Sequence, residues 1–227
     1  RMFRREGKPQ EDLDVLLTWL VVSTVIGARL GHCLFYEPER YLADPVSILK
    51  VWEGGLASHG GTFAILIALW FYARSRPDQP YLWLCDRLAV PIALAASCIR
   101  LGNFFNSELI GHPTDLPWGV VFTRERDGLA RHPSQLYESL SYLVIFLLLT
   151  LLYRRWGART PRGALAGIFL VLVFGVRFFI EFTKRRQAAW GEDLSLTVGQ
   201  LLSIPVVALG AILLGLAFKN RNRAEAA

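Results

Sequence analysis

Arg29, Arg100 and Arg177 lie inside long apolar runs, and His32, His59 and Glu181 lie at or near the ends of such runs. Ionisable groups are costly in a bilayer, so each of them requires a reason. A guanidinium binds phosphate through two parallel hydrogen bonds and stays charged at any accessible pH. Three arginines with few carboxylates nearby therefore point to an anionic ligand. Phospholipid headgroups are the phosphates a membrane protein meets. A histidine alongside can take a proton near neutral pH. Transfer or hydrolysis at a lipid headgroup is the chemistry these residue types suit.

Each residue also has a purely structural reading. Gly27 and Gly31 form a small-xxx-small pair that brings helices close, and Arg29 between them can be an interhelical ion-pair partner. Arg177 and Glu181 stand four residues apart and can pair with each other on one helix face. His32 suits an interface. His59 precedes Gly60-Gly61, which permits close backbone approach. His112 and His132 fall in a polar loop.

The elements that must carry these groups are membrane helices. The chain has 227 residues, of which 53% are hydrophobic. The apolar residues gather in six runs, at 13–36, 57–74, 83–102, 135–153, 163–182 and 196–218. Each approaches the ~20 residues that a ~30 Å hydrocarbon core requires, and runs of this length are helices rather than barrel strands. Pro91 interrupts the third, which predicts a kink rather than a break. The expected fold is an all-α polytopic bundle in a single membrane domain over 1–227. Irregular outer loops are expected at 37–56 and 103–134, with a short strand at Gly119–Phe122.

With the N-terminus inside, the inner segments hold the larger share of Lys and Arg, as cytoplasmic loops do. In that orientation Arg29, His32, His59, Arg100, Arg177 and Glu181 all fall in the outer half of the membrane. Charges at the inner ends sit in loops instead.

The net charge of +6 is clustered between apolar runs. That suits cytoplasmic loops and anionic lipids, and it excludes a nucleic-acid platform, which would need a basic stripe with exposed aromatics. Cys33, Cys85 and Cys98 have neither disulfide-framework count nor zinc-ligand spacing; they read as buried apolar thiols. No metal or cofactor is expected. No cleavable signal peptide is visible, and the opening Arg1-Met2 suggests a piece of a longer chain.

The stretch Arg100-Leu101-Gly102-Asn103-Phe104-Phe105-Asn106-Ser107-Glu108-Leu109-Ile110-Gly111 closely resembles the signature of prolipoprotein diacylglyceryl transferases. Four further stretches agree in type and order: Gly27-Ala28-Arg29-Leu30-Gly31 with Phe35-Tyr36, Ser58-His59-Gly60-Gly61, Arg131-His132-Pro133-Ser134-Gln135-Leu136-Tyr137-Glu138, and Arg177-Phe178-Phe179-Ile180-Glu181-Phe182. The resemblance implies transfer of the diacylglyceryl group of phosphatidylglycerol to the lipobox cysteine of a prolipoprotein signal peptide, at the outer face of the bacterial inner membrane. A thioether forms and glycerol phosphate leaves. It implies phospholipid binding by Arg100, a requirement for Arg177, and a proton-accepting role for His59, although an arginine or a water chain can also serve as base. Asn103, Asn106, Glu108 and Gly111 carry over as substrate-binding, site-shaping positions, with Arg29, His132 and Glu181 beside them.

Two departures stand out. Ile99 occupies a place where the family usually has glycine, which bears on close packing there. The family usually has seven spans, the extra one N-terminal and bearing a functional tyrosine. A chain lacking that span would have one wall of its site open to lipid. The competing expectation is a phospholipid-binding or lipid-translocating membrane protein without chemistry. It would keep the arginines but would have no need of His59 or the Glu108 loop.

Overall fold

A computed structural model describes residues 1–185 and 195–226 of the chain. Two compact units emerge, residues 1–84 and 85–227. Among the described residues five helices are long and apolar enough to cross a membrane: Gln10–Phe35, Tyr81–Phe105, Ser134–Arg159, Ala164–Thr183 and Val198–Asn222. The remaining expected span is also a helix, Ser58–Ser75, of 18 residues. Its Ser-His-Gly-Gly-Thr opening and Arg74-Ser75 end dilute the apolar run, and at about 27 Å it is short for a span.

The first unit contains α1 (Met2–Arg5), α2 (Gln10–Phe35), α3 (Pro38–Ala43) and α4 (Ser58–Ser75). The loop expected over 37–56 is more ordered than the sequence suggests. Besides α3 it holds two 3-10 turns, Pro45–Leu49 and Val51–Glu53. Helices α2 and α4 meet through glycines, as the Gly27/Gly31 spacing predicts. A Cβ on Gly31 would lie 2.8 Å from the Gly60 Cα, and one on Gly27 would lie 2.6 Å from the Gly60 carbonyl oxygen. Backbone thus touches backbone, and the gain is dispersion rather than hydrophobic burial. At the other end of the pair, Arg76 Nε donates to Asp12 Oδ1 at 2.8 Å and the Tyr72 hydroxyl donates to the Asp12 carbonyl at 2.9 Å. Gly60→Val is expected to force the helices apart, destabilising the unit by about 1–3 kcal/mol or more. A fall in the apparent unfolding temperature of the detergent-solubilised protein would register it, and Gly60→Ala should give a smaller fall.

Helix α5 (Tyr81–Phe105) keeps Pro91 inside it. From Cys85 onward it belongs to the second unit, with α6 (Ser134–Trp156), α7 (Ala164–Ile180) and α8 (Val198–Ala226). Polar side chains fasten these helices. Ser97 Oγ donates to the Ser139 carbonyl at 2.8 Å while Ser139 Oγ donates to the Ser97 carbonyl at 2.9 Å, tying α5 to α6. Buried Asp86 of α5 accepts from the Gly163 and Ala166 amides at 2.7 and 2.9 Å, capping the start of α7 from a neighbouring helix. Thr197 and Gln200 exchange side-chain and backbone hydrogen bonds, a capping box that starts α8. Between α5 and α6 the chain forms an antiparallel ribbon of β1 (Val120–Val121) and β2 (Ala130–Arg131). It falls where the sequence suggested a short strand.

Candidate functional site

The second unit gathers most of the chemistry-bearing residues around one carboxylate, Glu138, which has no exposed surface. Arg100, near the end of α5, places its Nε 2.9 Å from Glu138 Oε2. Lys184 donates from Nζ to Glu138 Oε1 at 2.8 Å, and the Tyr142 hydroxyl donates to the same oxygen at 3.3 Å. Lys184 also lies 3.2 Å from Glu181 Oε2. The i,i+4 pairing expected between Arg177 and Glu181 is therefore replaced by a Glu181–Lys184 pair. Glu181 packs over Gly199 at the start of α8, where a Cβ would come within 2.6 Å of the carboxyl carbon. Negative charge is favoured at a helix N-terminus.

Arg177 differs from the others. It is half-buried on α7 and makes no hydrogen bond or ion pair with any described residue. It belongs to the same compact unit as Arg100. Of the two guanidiniums, that of Arg100 is held by a carboxylate, and that of Arg177 has no partner among the described residues.

The signature loop follows directly. Arg100 Nη1 donates to Asn103 Oδ1 at 3.2 Å, and Asn103 and Asn106 donate their amides to the two oxygens of Glu108. Glu108 sits between Ser107 and Leu109, both with left-handed backbone at φ 58 and 56. Such strain persists only where the surroundings enforce it; Gln135, for example, donates to the Glu108 carbonyl. Gly111 then runs against two strands of backbone. A Cβ there would lie 2.6 Å from the His132 Cβ and 2.7 Å from the Thr183 carbonyl oxygen, which any larger residue would violate. Main-chain bonds link Gly111 to His132, His112 to Thr183, and Arg185 to Ile110.

His132 is ordered by a relay. Trp118 Nε1 donates to the Tyr137 hydroxyl at 2.8 Å, and that hydroxyl shares a hydrogen bond with His132 Nδ1 at 3.3 Å. Arg131 is clamped to Asp127 and reaches the Gly111 carbonyl at 3.4 Å. The Arg131 hydrogen bond, joined by the Leu129 amide, holds the Asp127 carboxyl below its usual range. A depressed carboxylate contributes stability above its unfolded value and loses it as pH falls through the folded one. The turn at 126–131 should therefore keep its amide protection through neutral and mildly acidic pH and lose it only below about pH 4. Hydrogen exchange across a pH series reads this directly.

The first unit holds Arg29, His32 and His59. Arg29 is 3% exposed and donates to the carbonyls of Ser47, Ile48, Lys50, Gly54 and Gly55. Its guanidinium also stacks on Tyr41 at 5.0 Å. Among the described residues Arg29 forms no interhelical ion pair; its guanidinium instead organises the 45–55 segment through these five carbonyls. His32 stacks on Tyr36 at 5.5 Å and lies 3.6 Å from Glu37. His59, exposed on the first turn of α4, faces Phe35 and Tyr36 at 5.6 and 5.8 Å.

Glu138, Lys184 and Tyr142 were not singled out by residue type and spacing. Glu138 had a readable signal, being a lone carboxylate within an apolar span. Among the described residues no cluster of His, Cys, Asp and Glu could hold a metal ion.

Comparison with known proteins identifies the family. A family model described as prolipoprotein diacylglyceryl transferase matches residues 1–216. The phosphatidylglycerol–prolipoprotein diacylglyceryl transferase of Tolumonas auensis is 53% identical over 223 residues, 98% of this chain and 86% of that protein. That of Chloroherpeton thalassium is 54% identical over 214 residues, 94% of this chain and 80% of its own length. The Porphyromonas gingivalis protein of the same name is 45% identical, covering 97% and 82%. With its multi-pass helices and its signature loop placed on Arg100, the chain belongs to the prolipoprotein diacylglyceryl transferase family.

Proposed function

We propose that this chain transfers the diacylglyceryl group of phosphatidylglycerol to the lipobox cysteine thiol of a prolipoprotein signal peptide. The cysteine sulfur bonds to the glyceryl carbon, the carbon–oxygen bond to phosphate breaks, the thiol proton passes to a base, and glycerol phosphate leaves. A free thiol with pKa ~8.5 is mostly protonated at neutral pH, so a base assists. The observation that carries this reading is the half-buried Arg177 guanidinium, without a partner among the described residues, in the same helical unit as the anchored Arg100. Charge develops on the departing phosphate, and preorganised guanidiniums stabilise it most at that moment. Glu138 holds Arg100 in place, and Asn103, Asn106 and Glu108 shape the adjoining rim. The base that the family resemblance implies is His59, which is exposed at the start of α4 and faces Phe35 and Tyr36 within its own unit. The Lys and Arg distribution supports a multi-pass inner-membrane protein whose site opens to the outer leaflet.

The test uses purified protein in proteoliposomes with labelled phosphatidylglycerol and a lipobox peptide. Thioether product is expected from the parent chain and none from Arg100→Ala. Lipid binding without product from the parent chain would instead support a lipid carrier and overturn the assignment.

A further inference from the structure

Asp86 lies within a membrane-spanning helix, has no exposed surface, and takes no part in the site above. Both of its oxygens are committed to α7. Oδ2 accepts from the Gly163 amide and Oδ1 from the Ala166 amide, at 2.7 and 2.9 Å. Gly163 is left-handed, at φ 91, so the chain turns sharply into the helix at this contact. Next to it Arg87 lies 3.8 Å from the Asp86 carboxylate and stacks over Tyr153 of α6 at 5.9 Å. Residues 86 and 87 of α5 thus grip both neighbouring helices at one level.

The spacing beyond that level is similar on the two helices. Arg100 follows Asp86 by 14 residues, and Arg177 follows Gly163 by 14 and Ala166 by 11. At 1.5 Å per residue the Arg100 backbone stands about 21 Å along its helix from the shared contact and that of Arg177 about 17–21 Å. We propose that Asp86 is a positioning residue: its cap fixes the register of α7 against α5, so that Arg100 and Arg177 reach the same level. A slip of one residue would move Arg177 by about 1.5 Å and rotate it by about 100°. A displacement of that size is enough to cost 10²-fold in rate. The inference rests on the two-arginine reading of the site, but the register itself is measurable without activity.

The experiment uses the full chain in lipid nanodiscs with Cys33→Ser and Cys85→Ser. Spin labels go on native Cys98 and on Phe179→Cys, each two residues from a guanidinium and exposed, Phe179 at 71%. Pulsed electron resonance should give one narrow distance for this parent. Asp86→Ala should broaden or displace it, and Asp86→Asn, which keeps one acceptor, should fall between. Per folded molecule, kcat in Asp86→Ala should drop roughly 10- to 100-fold with little change in KM. An unchanged distance distribution in Asp86→Ala would overturn the inference. So would a loss confined to folded yield, with the surviving protein keeping parental distance and kcat. If the parent itself transferred nothing, the proposed activity would fail, while the distances would still decide whether Asp86 sets the register.

Discussion

Arg177→Ala is expected to lower kcat/KM for diacylglyceryl transfer by roughly 10³-fold, with the larger share in kcat. The reason is its isolation. A guanidinium already engaged by carboxylates would have to exchange partners to meet a phosphate, whereas Arg177 has no partner among the described residues. No described partner has to be displaced for it to meet the charge that accumulates on the leaving group. Folding should be little affected, because no described hydrogen bond is lost. Arg177→Lys retains the charge but loses the two-pronged geometry, so partial activity at best is expected. Steady-state kinetics with labelled phosphatidylglycerol would check both, and near-parental activity in Arg177→Ala would remove the residue from the site.

Glu138→Ala should do the opposite kind of damage. Glu138 has no exposed surface and accepts from Lys184 and Tyr142 while pairing with Arg100. Removing one member of a buried ionic cluster leaves the others uncompensated, at a cost on the order of 3–5 kcal/mol. Loss of thermal stability is therefore expected together with loss of transfer. Glu138→Gln keeps the shape and an acceptor but not the charge, so it should fold better than the alanine variant while still releasing Arg100. A Glu138→Ala protein as heat-stable as the parent would mean that solvent or lipid reaches this cluster in the membrane.

The helices are legible in the sequence because length and apolarity alone decide whether backbone must satisfy itself in lipid. The runs at 13–36, 83–102, 135–153, 163–182 and 196–218 each become a helix shifted by a few residues at its ends. Gly27 and Gly31 announce the α2–α4 contact for the same reason, since spacing fixes a helix face. The short helix Pro38–Ala43 is not legible, because it is stabilised by what it packs on rather than by its own pattern. The site divides along similar lines. Arginines inside apolar runs advertise themselves. Whether a given arginine serves a ligand or the fold does not, because that depends on which acceptors lie nearby. Among the described residues Arg29 turns to five carbonyls and Arg177 to none, although both look alike along the chain. Asp86 escapes notice for a related reason: its partners, Gly163 and Ala166, are amides that carry no side-chain signal.

The seam at Gly111 has a consequence for how substrates arrive. Because the bonds joining it to the start of α6 and the end of α7 are main-chain, side-chain variation can leave them intact. The loop bearing Glu108 is thereby bolted to the two helices that supply Glu138 and Arg177. A lipid and a peptide would meet a rim already in shape, so their specificity should follow from fit at a rigid edge rather than from closure of this loop around them.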